Sequence, residues 1–328
     1  MRDTDGNYYD VTWDQAMGYP MLEMAGGRAR CLMDGNIPRK LYVYNDVNPI
    51  CDFKIKNEKQ VKLETEIKNK TPYKPFYGLV HQNPIRISSE NKVVQGLWIG
   101  DRLSTLEQLS IKSFLKNGHE YHLYTYSDVK NIPNGVVIKD GNDIISKDEL
   151  FFYTDPHHYG SYSAFSNWFR YKLLFEKGGW WVDTDIVCLK PFELTGWKNQ
   201  HIFTSEISQR GDTITSGVIK APKGSEVMKY CWDRTQEIGK EVRWGQIGPS
   251  LVKESVEHCN MQRYVKAVNE FNPFHYEDFS SITGGQDFDL SKSYSVHLWN
   301  EMWKLKGLDK DGKYEITSLY EILKRIYL

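Results

Sequence analysis

The stretch Gly178-Gly179-Trp180-Trp181-Val182-Asp183-Thr184-Asp185-Ile186-Val187-Cys188-Leu189 decides how this 328-residue chain is read. It is a β-favouring apolar run interrupted by two carboxylates. In an extended chain, side chains two residues apart point to the same face, about 6.6 Å apart along the strand. Asp183 and Asp185 are therefore expected on one face, with Val182, Thr184 and Ile186 on the other. Two anions among apolar neighbours repel each other and are costly to desolvate. A divalent cation removes that cost. Oxygen ligands suit Mg²⁺ or Mn²⁺, and both favour phosphate-bearing partners. The bland alternative is a strand end carrying two solvated aspartates.

The residues before this stretch sharpen the reading. Ser161 to Lys177 reads as a helix that is apolar around most of its circumference, through Phe165, Trp168, Phe169, Tyr171, Leu173, Leu174 and Phe175. Ser163, Ser166, Asn167 and Arg170 fall at i, i+3, i+4 and i+7, which makes one polar stripe on a buried helix. Such a stripe must find partners. It either forms an internal network, with Arg170 paired to a core carboxylate, or lines a polar cavity where Arg170 meets phosphate or ribose. Gly178-Gly179 ends the helix and turns the chain into the acidic strand.

Working outward, Val93 to Gly100 reads as a buried strand. Ser104-Thr105-Leu106-Glu107 is a capping box for a helix reaching about Lys116. Tyr121 to Tyr126 and Gly135 to Ile138 read as further strands. Strand–helix–strand at these lengths predicts an α/β fold with a Rossmann-like parallel half, whose ligands bind at the carboxyl ends of the strands. Downstream, strands are expected at 201–207 and 214–219. A helix follows at 225–238, then a turn at 245–250 leading into a helix that reaches about His258, a late strand at 294–300 and a helix at 316–327.

Residues 1–92 read as a β-rich appendage: irregular to 38, then strands at 41–44, 53–56 and 61–68. Residues 93–328 form the main domain. Lysines and glutamates interleave in the appendage, which favours a solvated face over a nucleic-acid site. Formal net charge is −1, so no polyanion surface is implied. Five widely spaced cysteines without a CxxC pair argue against a disulfide framework or a zinc site and for reduced thiols in a cytoplasm. No long apolar run is present, so no transmembrane segment is expected.

Taken in order, Ser166-Asn167-x-x-Arg170, Gly178-Gly179, Asp183-x-Asp185 and Val296-His297-Leu298-Trp299-Asn300 resemble the DxD-motif sugar transferases of the α-1,4-galactosyltransferase and α-1,6-mannosyltransferase kind. The resemblance runs from about Gln95 to Met302. It implies a GT-A fold with a mixed sheet, and a retaining, metal-dependent transfer of a hexose from a UDP- or GDP-sugar to a glycan or polysaccharide. It implies that Asp185 binds Mn²⁺ or Mg²⁺ directly, and that Asp183 touches the ribose or the metal shell. His297 would be a further metal ligand or a close neighbour. Asn167 and Arg170 would hold the nucleotide sugar, with Thr184 beside them. Trp98-Ile99-Gly100 would cradle the base, and Ser216-Gly217 and Gly248-Pro249 would supply donor- and acceptor-side loops. Asn167 suggests the galactosyl branch. Glu206 and Asp212 are positional candidates for a covalent route, though a front-face route is expected. Trp244, Trp299 and Trp303 are candidate sugar-stacking rings. A lipid-linked acceptor would bring peripheral membrane association. Two other classes compete: a sugar-nucleotide- or glycan-binding module without turnover, and a haloacid-dehalogenase-like phosphotransferase whose first Asp is a nucleophile.

Overall fold

The computed structural model describes residues 33–34, 37–38, 87–193, 200–208, 211–284 and 289–328. The chain divides into two compact units, Met1–Val80 and His81–Leu328. In the first, strands β1 (Met33–Asp34) and β2 (Ile37–Pro38) pair antiparallel, within the stretch that reads as irregular. The strands expected at 41–44, 53–56 and 61–68 lie outside the described residues.

The second unit is built on a six-stranded mixed sheet. Its strands are β3 (Val93–Trp98), β4 (Glu120–Thr125), β5 (Val137–Asp140), β6 (Gly179–Val182), β8 (Ile202–Ser208) and β9 (Gly211–Ala221), in the order β5-β4-β3-β6-β9-β8. β3 is parallel to both β4 and β6, and β4 to β5, while β9 runs antiparallel to β6 and to β8. The α/β class with a mixed sheet is thus the one the sequence predicts. The chain runs outward from β3 through β4 to β5 and then returns through the helix Ser163–Lys177 to β6 on the other side of β3, so the strand order reverses between β3 and β6. In open α/β sheets that reversal opens a crevice at the carboxyl ends of the two strands.

Side-chain alternation explains how the sheet is covered. On β6, Trp180 and Val182 enter one apolar core with Phe114, Tyr121, Phe192 and Phe271, while Trp181 enters the other with Phe169, Leu173 and Val227. Ser89–Lys92 forms a short helix, α1. The buried Asn91 carboxamide of α1 accepts from Trp180 Nε1 at 3.0 Å, which ties this turn to the sheet. The capped helix α2 spans Thr105–Lys116, and Glu107 accepts from the Ser104 N–H at 2.7 Å. Helix α3 spans Ser163–Lys177 and ends where the Gly178 N–H reaches the Leu174 carbonyl at 2.9 Å. Gly178 sits at φ +70°, and a Cβ there would stand 2.5 Å from the Lys223 nitrogen, so only glycine makes this turn. Helices α4 (Glu226–Ile238), capped by Ser225, and α5 (Pro249–His258) follow the sequence reading closely.

Two expectations fail. The acidic pair does not lie in an extended strand. β6 stops at Val182, and the Ile186 N–H bonds the Asp183 carbonyl at 3.1 Å, closing a turn over Thr184 and Asp185. The chain then enters a separate two-stranded sheet, where β7 (Ile186–Cys188) pairs antiparallel with β10 (Ser295–His297). The late strand is also shorter than expected. Trp299 adopts a left-handed conformation (φ 41°, ψ 77°), and the chain turns directly into helix α8 (Asn300–Leu305). Short helices α6 (Val268–Phe271) and α7 (Ser280–Thr283) precede β10, and α9 (Leu319–Tyr327) closes the chain.

One buried histidine gives this fold a pH signature. His119 Nε2 accepts the Phe192 N–H at 2.9 Å, and Nδ1 meets the Asn91 carbonyl at 3.1 Å, so the ring is neutral with its proton on Nδ1. Burial pushes its pKa down to about 4. The unfolded chain therefore takes up a proton between pH 6.5 and about 4 that the folded chain refuses, and stability falls as pH drops through that window. The contribution is on the order of 3 kcal/mol. Urea unfolding at pH 7.5 and pH 4.5 is expected to show a steeper acid loss for the native protein than for His119→Asn, and equal losses would contradict this assignment.

Candidate active site

A cavity of about 1010 Å³ opens at the reversal between β3 and β6. Every member of the α3 polar stripe (Ser163, Ser166, Asn167 and Arg170) lines it, as do Asp183, Thr184, Asp185, Ser216, Gly217 and His297. The shared direction of Asp183 and Asp185 comes from the turn rather than from strand alternation. For the same reason Thr184 lines the cavity instead of facing the opposite surface, while Val182 and Ile186 are fully buried.

Asp183 is fixed from three sides. Its Oδ1 accepts from Arg170 Nη2 at 2.9 Å and from Trp181 Nε1 at 2.8 Å. Its N–H donates to the Gly217 carbonyl at 2.8 Å. Gly217 lets the two segments approach closely: a Cβ there would stand 3.3 Å from Asp183 Oδ2, so that carboxylate would have to shift by a few tenths of an ångström. Arg170 is itself only 3% exposed. Besides Asp183 it donates to Ser166 Oγ at 3.2 Å and to the Ser216 carbonyl, and its guanidinium lies 5.0 Å from the Trp181 ring centre. Arg170 therefore spends its donors on holding Asp183 and the β9 backbone.

Asp185 is held by the opposite wall. Its Oδ2 accepts the Asn300 N–H at 2.7 Å and lies 3.3 Å from His297 Nε2. The Leu298 N–H reaches the Asp185 carbonyl at 3.0 Å. The left-handed Trp299 turns the chain so that Asn300, at the start of α8, can reach back. His297 is thus a close neighbour of Asp185, and the charge of Asp183 acts on it as well. Its Nδ1 is buried without a hydrogen-bond partner, 4.0 Å from Glu206 Oε2.

Electrostatics separate the two carboxyls. Burial raises the Asp183 pKa, opposed by Arg170 and reinforced by the charge of Asp185. Burial also acts upward on Asp185, but His297 and the Asn300 N–H outweigh it, so its pKa is lowered. Burial would lower the His297 pKa, yet Asp185, Glu206 and Asp183 together raise it. Bringing two carboxylates together drives their ionisations apart in this way.

A divalent cation fits the oxygens that remain. Asp185 Oδ1 is buried and unpartnered, and both side-chain hydrogen bonds to Asp183 use Oδ1, which leaves Oδ2. Among the described residues no group of three or more acidic, histidine or cysteine side chains is placed to hold a metal ion, so the protein would supply only the two carboxylates. Two protein oxygens with open positions is the pattern of a Mg²⁺ or Mn²⁺ site completed by water and substrate phosphate.

The remaining candidates are distributed as follows. Trp98 and Ile99 line the cavity, but Gly100 does not; a Cβ on Gly100 would stand 3.1 Å from the Trp98 indole nitrogen. Asn167 lies beside Gly248, with its Oδ1 buried and unpartnered. Glu206 lines the cavity, whereas Asp212 is exposed and does not. Trp299 and Trp303 line it but are 8% and 1% exposed, so most of each ring is core. Trp244 is 43% exposed and stacks on His158 at 3.9 Å. The sequence reading missed His158, which Asp155 orients at 2.9 Å; the doublet His157-His158 within an irregular stretch was the available signal. It also missed the Asn300 amide, because no sequence pattern announces a backbone donor.

Residues 104–204 match the family model described as a glycosyltransferase sugar-binding region containing a DXD motif, a segment that includes α2, α3 and both aspartates. The PaToxG glycosyltransferase is similar in structure at 13% identity, over 72% of this chain and 87% of that one, with a TM-score of 0.39. The apo-form glycosyltransferase GlyE of Streptococcus pneumoniae TIGR4 is similar at 14% identity, over 72% of this chain and 60% of that one, with a TM-score of 0.38. A transferase solved as a double cysteine-to-serine mutant is similar at 9% identity, over 54% of this chain and 88% of that one, with a TM-score of 0.37. Likenesses this distant carry no residue-level inference. No curated protein is a significant match to the chain.

The Arg170–Asp183 pair yields a stability test. Removing the guanidinium leaves a largely buried carboxylate without its counter-charge, which costs roughly 3 kcal/mol. Urea unfolding of Arg170→Met is expected to show a loss of about that size, partly recovered in Arg170→Met/Asp183→Asn; a loss below about 1 kcal/mol would mean the pair is not what holds Asp183.

Proposed function

We propose that the chain is a metal-dependent glycosyltransferase of the GT-A kind that moves a hexose from a nucleotide-diphosphate sugar to a glycan or polysaccharide acceptor, with retention at the anomeric carbon. The observation that carries this reading is the convergence of Asp183 and Asp185 on a large cavity at the strand reversal, with Asp185 Oδ1 buried and unpartnered. The family match at 104–204 supports the same chemistry.

A divalent cation held by Asp185 Oδ1 and Asp183 Oδ2 would offset the negative charge that grows on the departing diphosphate. The chain's own residues prepare that site in advance. Arg170 and Trp181 fix Asp183, while Asn300 and His297 fix Asp185, so neither carboxylate has to reorganise when the donor arrives. Asn167 offers an unpartnered Oδ1 to donor hydroxyls. Trp98 and Ile99 form the wall at the end of β3 where the base is expected. The exposed face of Trp244 suits an acceptor ring.

On a front-face route, the leaving phosphate oxygen takes the proton of the acceptor hydroxyl as the new glycosidic bond forms on the same face. Protein then supplies no nucleophile. Glu206 stands on the cavity wall with its Oε2 4.0 Å from His297 Nδ1, whereas Asp212 does not line the cavity. The phosphotransferase alternative would use Asp183 as its nucleophile through Oδ2, since Arg170 and Trp181 bond Oδ1; consumption of a nucleotide sugar rather than a phosphate ester separates the two readings.

The test is turnover. With Mn²⁺ and a panel of UDP- and GDP-sugars, at least one donor is expected to release its nucleoside diphosphate. Asp185→Asn, which keeps the shape and the Asn300 contact, is expected to lower that release by about 100-fold or more while leaving the melting temperature near that of the native protein. Wild-type turnover by a folded Asp185→Asn protein would sink the assignment.

A further inference from the structure

The amide that holds Asp185 is itself held by a chain of polar contacts running to the start of α2. Asn300 donates its N–H to Asp185 Oδ2 at 2.7 Å, and its side-chain Oδ1 accepts from Lys310 Nζ at 2.9 Å. The same ammonium donates to Glu107 Oε1 at 2.6 Å. Glu107 Oε2 accepts from the Ser104 N–H at 2.7 Å and from Ser104 Oγ at 2.5 Å. Glu107 is fully buried and Lys310 is one-quarter exposed, so the pair is part-buried, with its carboxylate end away from water.

The loop bearing Lys310 is pinned on both flanks. Asp311 Oδ1 accepts from the Thr105 N–H and from Thr105 Oγ1, each at 2.7 Å. The buried Tyr320 donates its hydroxyl to the Lys310 carbonyl at 2.5 Å. The Lys310 ammonium also lies 5.7 Å from the Trp98 ring centre, on the cavity wall.

We infer that Lys310 is a positioning residue for the acidic pair: through the Asn300 side chain it fixes the Asn300 amide that orients Asp185. An ammonium has three donors, and here two of them join a buried carboxylate to a carboxamide oxygen. The buried Glu107 charge keeps Lys310 in place, and Lys310 keeps Asn300 from rotating. The Asn300 amide then stays aimed at Asp185 Oδ2, and Oδ1 is left without a protein partner. The simpler role for Lys310, neutralising Glu107, accounts for the 2.6 Å pair but not for the bond to Asn300. The inference rests on the proposed metal site for its consequence, though not for its geometry.

The test separates positioning from charge neutralisation. Lys310→Met alone strands a buried carboxylate and is expected to be unstable. Lys310→Met/Glu107→Gln removes both charges and is expected to melt near the native temperature. Two readouts are then compared with the native protein. Free Mn²⁺ counted by electron paramagnetic resonance, with no nucleotide present, is expected to give a Kd about tenfold weaker in the double variant. Residue-resolved hydrogen exchange is expected to show the Asn300 amide exchanging about tenfold faster, as its bond to Asp185 loosens. Unchanged Asn300 exchange in the double variant overturns the inference whatever the metal result. A native protein that binds no Mn²⁺ overturns the metal reading instead, and the amide exchange alone then decides the role of Lys310.

Discussion

Two carboxylates brought to one point in a largely buried crevice constrain everything around them. Unassisted, they would repel each other and lose hydration, and the turn that carries them would open. The structure meets this cost asymmetrically. Asp183 receives a buried guanidinium and an indole N–H, while Asp185 receives a backbone amide and an imidazole. One oxygen of each remains without a hydrogen bond. The Arg170–Asp183 pair joins α3 to the end of β6, and the His297–Asp185 pair joins the turn after β6 to the C-terminal segment.

The fold places these partners through pairing rather than proximity in sequence. β6 delivers Asp183 beside β9, where Gly217 allows close approach. The turn then hands the chain to β7, whose pairing with β10 sets Ile186 opposite His297. The left-handed Trp299 follows at once and starts α8 in the direction that returns an amide to Asp185. Non-glycine residues in that conformation persist where their surroundings over-determine them, commonly at functional sites.

Much of this was legible in the sequence because the signals were local. The Ser104–Glu107 cap, the polar stripe on α3 and the Gly178-Gly179 turn are each written within a few residues, and each stands where expected. The shared orientation of Asp183 and Asp185 was read correctly for the wrong reason. Strand alternation does not produce it; a turn stabilised by the Gly217 carbonyl and the β7–β10 pairing does, and both partners lie far along the chain. The hydrogen bonds that occupy Arg170 were hidden for the same reason. A stripe of polar residues announces a need for partners, but whether those partners are protein or ligand depends on contacts between distant segments. The Asn300 amide and Lys310 carried no local signal at all.

On the proposed reading, Asp183 and Asp185 share a cation that meets the donor diphosphate. Crystals grown with Mn²⁺ and a nucleoside diphosphate, measured at a wavelength where manganese scatters anomalously, test it directly. One strong anomalous peak bounded by Asp183 Oδ2 and Asp185 Oδ1 is expected, with the diphosphate completing its coordination. A peak elsewhere on the chain, or a diphosphate bound in the cavity with no metal between it and the two carboxylates, would contradict it.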